Sequence, residues 1–104
     1  MDYIIVLSTF RDKMEAKKVA EKLIKEKLAA CVNIVSNIES VYEWEGEIVK
    51  DFEALAIIKT KSQFFDDLKD RIKELHSYEI PEIIALDIKK GDFKYLDWID
   101  KALI

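Results

Sequence analysis

The 104-residue chain has little of what bends a backbone or cross-links a fold: two glycines, one proline and one cysteine. A lone cysteine, Cys31, excludes an internal disulfide and a zinc ribbon and fits a reducing compartment, so a cytoplasmic location is expected. No apolar run reaches the roughly 18 residues of a membrane-spanning helix. Met1-Asp2-Tyr3 leads straight into a strand-like segment without a secretory pattern, so neither membrane insertion nor export is expected. Basic residues are outnumbered, 17 against 21 acidic, for a net charge of −4 and a pI near 5.1. That balance argues against a nucleic-acid partner. What is present is 50% hydrophobic and 37% charged residues, the mixture of one folded domain over the whole chain rather than of a disordered or collagen-like one. Lysine outnumbers arginine 15 to 2 and glutamate is abundant, in keeping with a thermostable protein.

The apolar run Tyr3-Ile4-Ile5-Val6-Leu7-Ser8-Thr9 is hydrophobic on both faces and reads as a central strand. Asp12 and Glu15 have the spacing of a helix-starting box, and Ala16, Val19, Ala20, Leu23 and Ile24 form the stripe of an amphipathic helix. From Ala30 the period becomes two as far as Trp44, with Ala30, Val32, Ile34, Ile38, Tyr42 and Trp44 assigned to one face. Glu45-Gly46 supplies a turn, and a second long strand runs from Glu47 to about Thr60. The alternation falters near Ser36-Asn37 and near Lys50-Asp51, the two places where a bulge is expected. Thr60 with Gln63, or Ser62 alone, is expected to cap a helix buried through Phe65, Leu68, Ile72 and Leu75, which must stop before Ile80-Pro81. Glu82 to Ile88 reads as a fourth strand. After Gly91-Asp92, residues Leu96, Ile99 and Leu103 mark a last helix. The order βαββαβ plus a C-terminal helix predicts an α+β, ferredoxin-like domain with an antiparallel sheet and a long protruding hairpin.

That hairpin is too long for its own domain. A compact chain of this length is roughly 33 Å across, whereas fourteen strand residues span roughly 46 Å, leaving an overhang on the order of 10 Å. Its end carries Tyr42, Trp44, Ile48, Val49 and Phe52. Burying one such aromatic is worth roughly 2 to 3 kcal/mol, so a bare overhang is an aggregation hazard unless another chain covers it. Between Glu39 and Glu53 lie six acids and one base, whereas the other 89 residues hold 15 acids and 16 bases. The whole net negative charge therefore sits on the hairpin. Acids there discourage open-ended strand pairing, and several copies together would present an acidic surface attractive to cations. The expectation is a closed homo-oligomer with Tyr42, Trp44, Ile48 and Phe52 at its interface.

Several motifs occur in one order: Leu28-Ala29-Ala30-Cys31-Val32-Asn33-Ile34, Tyr42-Glu43-Trp44-Glu45-Gly46-Glu47-Ile48, Ile58-Lys59-Thr60, and Leu75-His76-Ser77-Tyr78-Glu79-Ile80-Pro81-Glu82-Ile83, followed by Tyr95-Leu96-Asp97-Trp98. In this order and spacing the chain resembles the divalent-cation tolerance proteins of the CutA family over nearly its full length. The resemblance implies a ferredoxin-like protomer and a stable homotrimer held by intersubunit strand pairing. It also implies a cytoplasmic role linked to copper and other heavy metals, and an architecture similar to that of PII signalling proteins. The chain departs from the family pattern at Ser77, where proline is usual. It departs again at Ser8 and Leu75, where some members carry a cysteine and a second histidine proposed to bind copper. Of that copper set only His76 is kept.

His76 is the only histidine. At a helix C-terminus it is stabilised by the helix dipole whatever its role. Imidazole also suits copper and zinc, with Glu79 or Glu82 adding an oxygen and Cys31 a soft sulfur. Cys31 reads equally as a small buried hydrophobe. Lys59 either snorkels to the surface or faces a ligand cleft together with Arg11 and Tyr78. No nucleophile elbow, phosphate-cradling glycine loop or paired-histidine motif occurs, so no catalytic residue and no obligatory cofactor is expected. The expected function is a non-enzymatic, cytoplasmic homotrimer that weakly binds Cu²⁺ or a similar divalent metal and confers tolerance to it. The alternative is a PII-like trimeric sensor or adaptor holding a small anionic ligand in the intersubunit cleft through Lys59, Arg11 and Tyr78.

Overall fold

The computed structural model describes residues 3–104; the lead-in Met1-Asp2 lies outside the described residues. Strand β1 (Tyr3–Phe10) buries alternate side chains, Ile4, Val6, Ser8 and Phe10. Helix α1 (Lys13–Lys25) begins where the Asp12 carboxylate accepts the Glu15 amide at 2.9 Å. The reciprocal bond is displaced by one residue: Glu15 Oε1 accepts from the Arg11 amide at 3.2 Å, not from that of Asp12. Ala16, Val19, Ala20 and Leu23 are buried, but Ile24, expected in the same stripe, is 39% exposed beside the outer edge of the sheet.

Strands β2 (Cys31–Trp44) and β3 (Glu47–Lys61) form the long hairpin, closed by Glu45 and Gly46 with φ of 51° and 81°. Two successive left-handed residues give the turn whose twist matches that of its strands. Ala30 precedes β2 rather than opening it, its amide bonded to the Lys59 carbonyl. The bulge lies at Ser36-Asn37, while Lys50-Asp51 is in unbroken register. Val35 pairs with Leu55 but Ile38 pairs with Glu53, so β2 holds one extra residue there, and Asn37 has φ of 58°. Directly paired residues share a face, and this corrects the single-face assignment of β2. Ile38, Tyr42 and Trp44 lie on the face of Val35 and Leu55, opposite to Val32 and Ile34.

A 3-10 turn (Ser62–Phe64) leads into α2 (Phe65–Leu75), which buries Leu68 and Ile72. Thr60 is not a cap, because its buried hydroxyl donates to the Leu28 carbonyl at 2.8 Å; Phe64, whose side chain has no acceptor atom, occupies the capping position. Strand β4 is shorter than expected, Ile84–Asp87, since its pairing with β1 is confined to Ile4 through Leu7. Helix α3 (Phe93–Ala102) starts on Asp92, whose carboxylate accepts the Tyr95 amide, and buries Ile99.

The four strands make one antiparallel sheet in the order β2-β3-β1-β4. Helices α1 and α2 cover one face, with Val6, Phe10, Ile58, Leu23, Leu68 and Ile72 among the core residues. The opposite face is met only at its Tyr3 end, by α3. There Asp100 accepts the Tyr3 hydroxyl at 2.5 Å and pairs with Lys61 at 2.7 Å. Beyond α3 that face is an apolar sheet surface: Ile5, Leu7, Leu55 and Ile57 are half-buried, and Val35, Ile84 and Leu86 are exposed. β1 accompanies β3 only as far as Ala54, so Glu47 to Glu53 run on without it. Seven strand residues are roughly 23 Å, more than the overhang expected from the sequence, and the protomer is accordingly 45 × 26 × 22 Å.

Candidate functional site

The C-terminus of α2 is locked to the end of β1. His76 stacks on Phe10 with centroids 4.5 Å apart and leans on Tyr78 at 4.7 Å. Its Nε2 lies 2.7 Å from the Thr9 carbonyl, an acceptor, so this nitrogen carries the proton and donates. Its Nδ1 accepts from the Tyr78 amide at 3.0 Å. Both ring nitrogens are thus in use in the neutral tautomer. One residue on, Ser77 donates its amide to Glu15 Oε2 at 2.9 Å. Sequence reading placed Glu15 in the helix-starting box but missed this clamp, because nothing local shows that its second oxygen reaches a loop 62 residues away.

Tyr78 reaches the hairpin. Its hydroxyl donates to Glu53 at 2.6 Å, and burial, then the Glu53 carboxylate, pushes its pKa well above the ordinary phenol value. Tyr42 behaves similarly: its hydroxyl donates to Asp51, which raises its pKa. Between the hairpin and the loop that follows Tyr78 lies a groove of about 450 Å³. Trp44, Tyr42 and Tyr78 contribute aromatic walls, and Asp51, Glu53, Glu79 and Glu82 contribute carboxylates; no lysine or arginine lines it. Such a surface attracts cations. The sequence pointed to Glu79 and Glu82, whereas Asp51 and Glu53 join them only through the tertiary fold.

The other candidates lie elsewhere. Cys31 pairs with Lys59, which pairs with Ile5, four residues along β1 from Thr9. That is roughly 13 Å along the strand from the His76 contact. Cys31 is half-buried, its thiol near the Asn33 side chain, and Lys59 Nζ also bonds to Asn33. Tyr95 of α3 stands beside the Cys31 thiol; burial, then that thiol, raises its pKa. Arg11 is exposed next to Asp12, on the α1 side of the molecule. Lys59 is therefore remote from Tyr78, whereas Arg11 and Ser77, the residue before Tyr78, hold the same Glu15 carboxylate through their amides, with the Arg11 side chain outside the groove that Tyr78 lines. Among the described residues, no three of His, Cys, Asp and Glu are gathered closely enough to hold a metal ion. Tyr42, Trp44, Ile48 and Phe52 are all exposed, at 59% for Trp44 and 74% for Ile48.

The architecture is that of a small α+β protein with two helices on one side of its sheet, a third at one end of the other, largely uncovered apolar side, and a projecting acidic hairpin. Residues 4–102 match the family model described as CutA1 divalent ion tolerance protein, and the chain belongs to that family. It is 47% identical to the divalent-cation tolerance protein CutA of Thermus thermophilus, over 91% of this chain and 92% of that one. It is 51% identical to protein CutA 1, chloroplastic, of Oryza sativa over 95% of this chain, but spans only 56% of that relative's length. Among solved structures, CutA1 from Oryza sativa superposes with a TM-score of 0.96 at 48% identity, covering 98% and 94% of the two chains. The structure described as the periplasmic divalent cation tolerance protein CutA of Archaeoglobus fulgidus gives 0.95 at 39% identity, covering 98% and 99%.

Proposed function

We propose that this chain is a non-enzymatic divalent-cation tolerance protein that works as a homotrimer of ferredoxin-like protomers and weakly binds Cu²⁺ or similar ions. The observation that carries the assembly is the uncovered sheet face continuing into the aromatic overhang. At roughly 25 cal/mol per Å² such a surface is strongly driven to bury itself, and a second copy presents the matching one. The strand order β2-β3-β1-β4 with helical crossovers supports the ferredoxin-like description. The number three rests on the family resemblance. A cytoplasmic location and thermostability belong to the same proposal, supported by the lone cysteine and the lysine- and glutamate-rich composition.

For the metal, a tight centre within one protomer does not fit the residues present. Both nitrogens of His76 are engaged and Cys31 is remote from it. The residues that fit a weakly held ion are the groove carboxylates, Glu79 and Glu82 with Asp51 and Glu53. Oxygen donors spread over a groove attract a divalent cation without the affinity of an imidazole or thiolate set. Calorimetry with CuCl₂ tests this. Glu79→Gln with Glu82→Gln is expected to lower the apparent affinity several-fold, whereas His76→Ala leaves it within twofold if the chain stays folded by circular dichroism. Loss of copper heat in the histidine variant alone would return the site to His76.

A further inference from the structure

Cys31 is single in the sequence but not in space. It opens β2, and its cross-strand partner is Lys59, so the two side chains stand next to each other on one face of the sheet. The Asn33 side-chain oxygen touches both: it lies 3.9 Å from the Cys31 sulfur and accepts from Lys59 Nζ. On a third side the Tyr95 hydroxyl of α3 donates to the thiol. No carboxylate competes for the amine. Lys59 enters no ion pair among the described residues, and Asp100, which α3 brings to this end of the sheet, is spent on Lys61 at 2.7 Å and on Tyr3. Lys61, the next amine on the same face, is two residues along β3, roughly 7 Å away. Lys59 Nζ ends a flexible four-carbon stem, so it can leave Asn33 for the sulfur without movement of the backbone. Asn33 is exposed, Tyr95 is 43% exposed and Cys31 is half-buried, which leaves the sulfur within reach of a molecule as small as a peroxide. None of these four residues lines the acidic groove, so nothing in the metal reading uses them.

We propose that Cys31 and Lys59 form an oxidant-sensitive modification site, at which hydrogen peroxide converts the pair to a sulfenamide joining β2 to β3. The thiol sulfur attacks one peroxide oxygen, the O–O bond breaks, and the products are the Cys31 sulfenic acid and one water. The Lys59 amine, in its unprotonated form, then attacks that sulfur. The S–N bond forms, the S–O bond breaks, and the hydroxyl leaves with one amine proton as a second water. Sulfur loses two electrons and peroxide gains them. The link is reversible: a small thiol attacks the sulfur and frees the amine, and a second thiol releases Cys31 from the mixed disulfide. Closing the link has two consequences. It ties the two strands together at the root of the long hairpin, and it keeps the sulfenic acid from going on to the irreversible sulfinic and sulfonic acids.

Mass spectrometry of the native, metal-free chain after hydrogen peroxide treatment tests this. The intact chain is expected to lose two hydrogens. Cleavage at glutamate, with no thiol present, separates residues 27–39 from residues 54–74 in the untreated chain. In the treated chain the two are expected to stay joined through Cys31 and Lys59, and to separate again on addition of dithiothreitol. Lys59→Arg keeps the charge but removes the amine. It is expected to lower the yield of the link at least tenfold and to accumulate sulfinic acid at Cys31 instead. Parent unfolded in urea and treated alike is expected to form at least tenfold less of the link, because only the folded sheet holds sulfur and amine together. A native parent in which Lys59 stays free, with Cys31 either unoxidised or carried to the sulfinic acid, overturns the proposal. So does a link that forms at Lys61 or another amine, or that forms equally in the unfolded chain.

Discussion

Tyr78 keeps its proton past the pH at which a free phenol loses it, because burial and the neighbouring Glu53 carboxylate both oppose a second negative charge. An acid whose folded pKa is raised adds stability that is fully present below the ordinary phenol value of about 10 and is lost as pH rises through the folded value. The hydroxyl also ties the loop after α2 to the hairpin, at 2.6 Å. Tyr78→Phe is therefore expected to cost about 1 kcal/mol at neutral pH and to flatten, though not abolish, the loss of stability above pH 10. Tyr3, Tyr42 and Tyr95 are raised in the same direction and supply the remainder. Urea unfolding across pH 7 to 11 measures both effects; equal curves for parent and variant would mean that the bond holds nothing. The sequence placed Tyr78 beside a ligand and His76 beside a metal. It could not show that His76 spends Nε2 on the Thr9 carbonyl, Glu15 its second oxygen on the Ser77 amide and Tyr78 its hydroxyl on Glu53, because those partners are 67, 62 and 25 residues distant.

The long hairpin was readable because its signals are local: a period of two over many residues, Gly46 where φ must be positive, and a break at Ser36-Asn37. Which face each half presents was not readable, since that depends on which residue of β3 opposes which residue of β2. The bulge decides it. Val35 and Ile38 are three residues apart yet point the same way, so Tyr42 and Trp44 join the uncovered face and the acidic groove instead of following Val32 and Ile34. Ile24 and Thr60 were misassigned for a similar reason: their surroundings are the sheet edge and the Leu28 carbonyl, neither of which periodicity reveals. Deleting Asn37 converts the bulge to regular pairing in which Val35 still opposes Leu55 and Ile38 still opposes Glu53, so the tip keeps its faces. The expected result is a folded chain in which the Tyr42 bond to Asp51 persists, indole emission of Trp44 is unchanged and assembly by sedimentation stays within twofold of the parent. A deletion variant that assembles at least tenfold more weakly would show that the bend of the bulge, and not only the face it sets, is needed for assembly.

A sheet with α1 and α2 over one side and α3 at only one end of the other leaves most of that other side to be explained, and here it is apolar in its middle and aromatic on its overhang. In an isolated protomer Ile84 and Leu86 are about half exposed, so replacing them with lysine removes few internal contacts and falls among surface changes worth within about 0.5 kcal/mol. In an assembly built on that face the same two lysines would be buried without partners, which costs far more than the lost apolar contact. The two cases separate by concentration. A self-associating protein has a melting temperature that rises with protein concentration, because only the folded state binds its copies. The parent is expected to show that rise between one and one hundred micromolar, while Ile84→Lys with Leu86→Lys melts at one lower temperature throughout and runs as a monomer. If the double variant keeps both its mass and the concentration dependence, the uncovered face is not where the copies meet, and the overhang alone must hold them together.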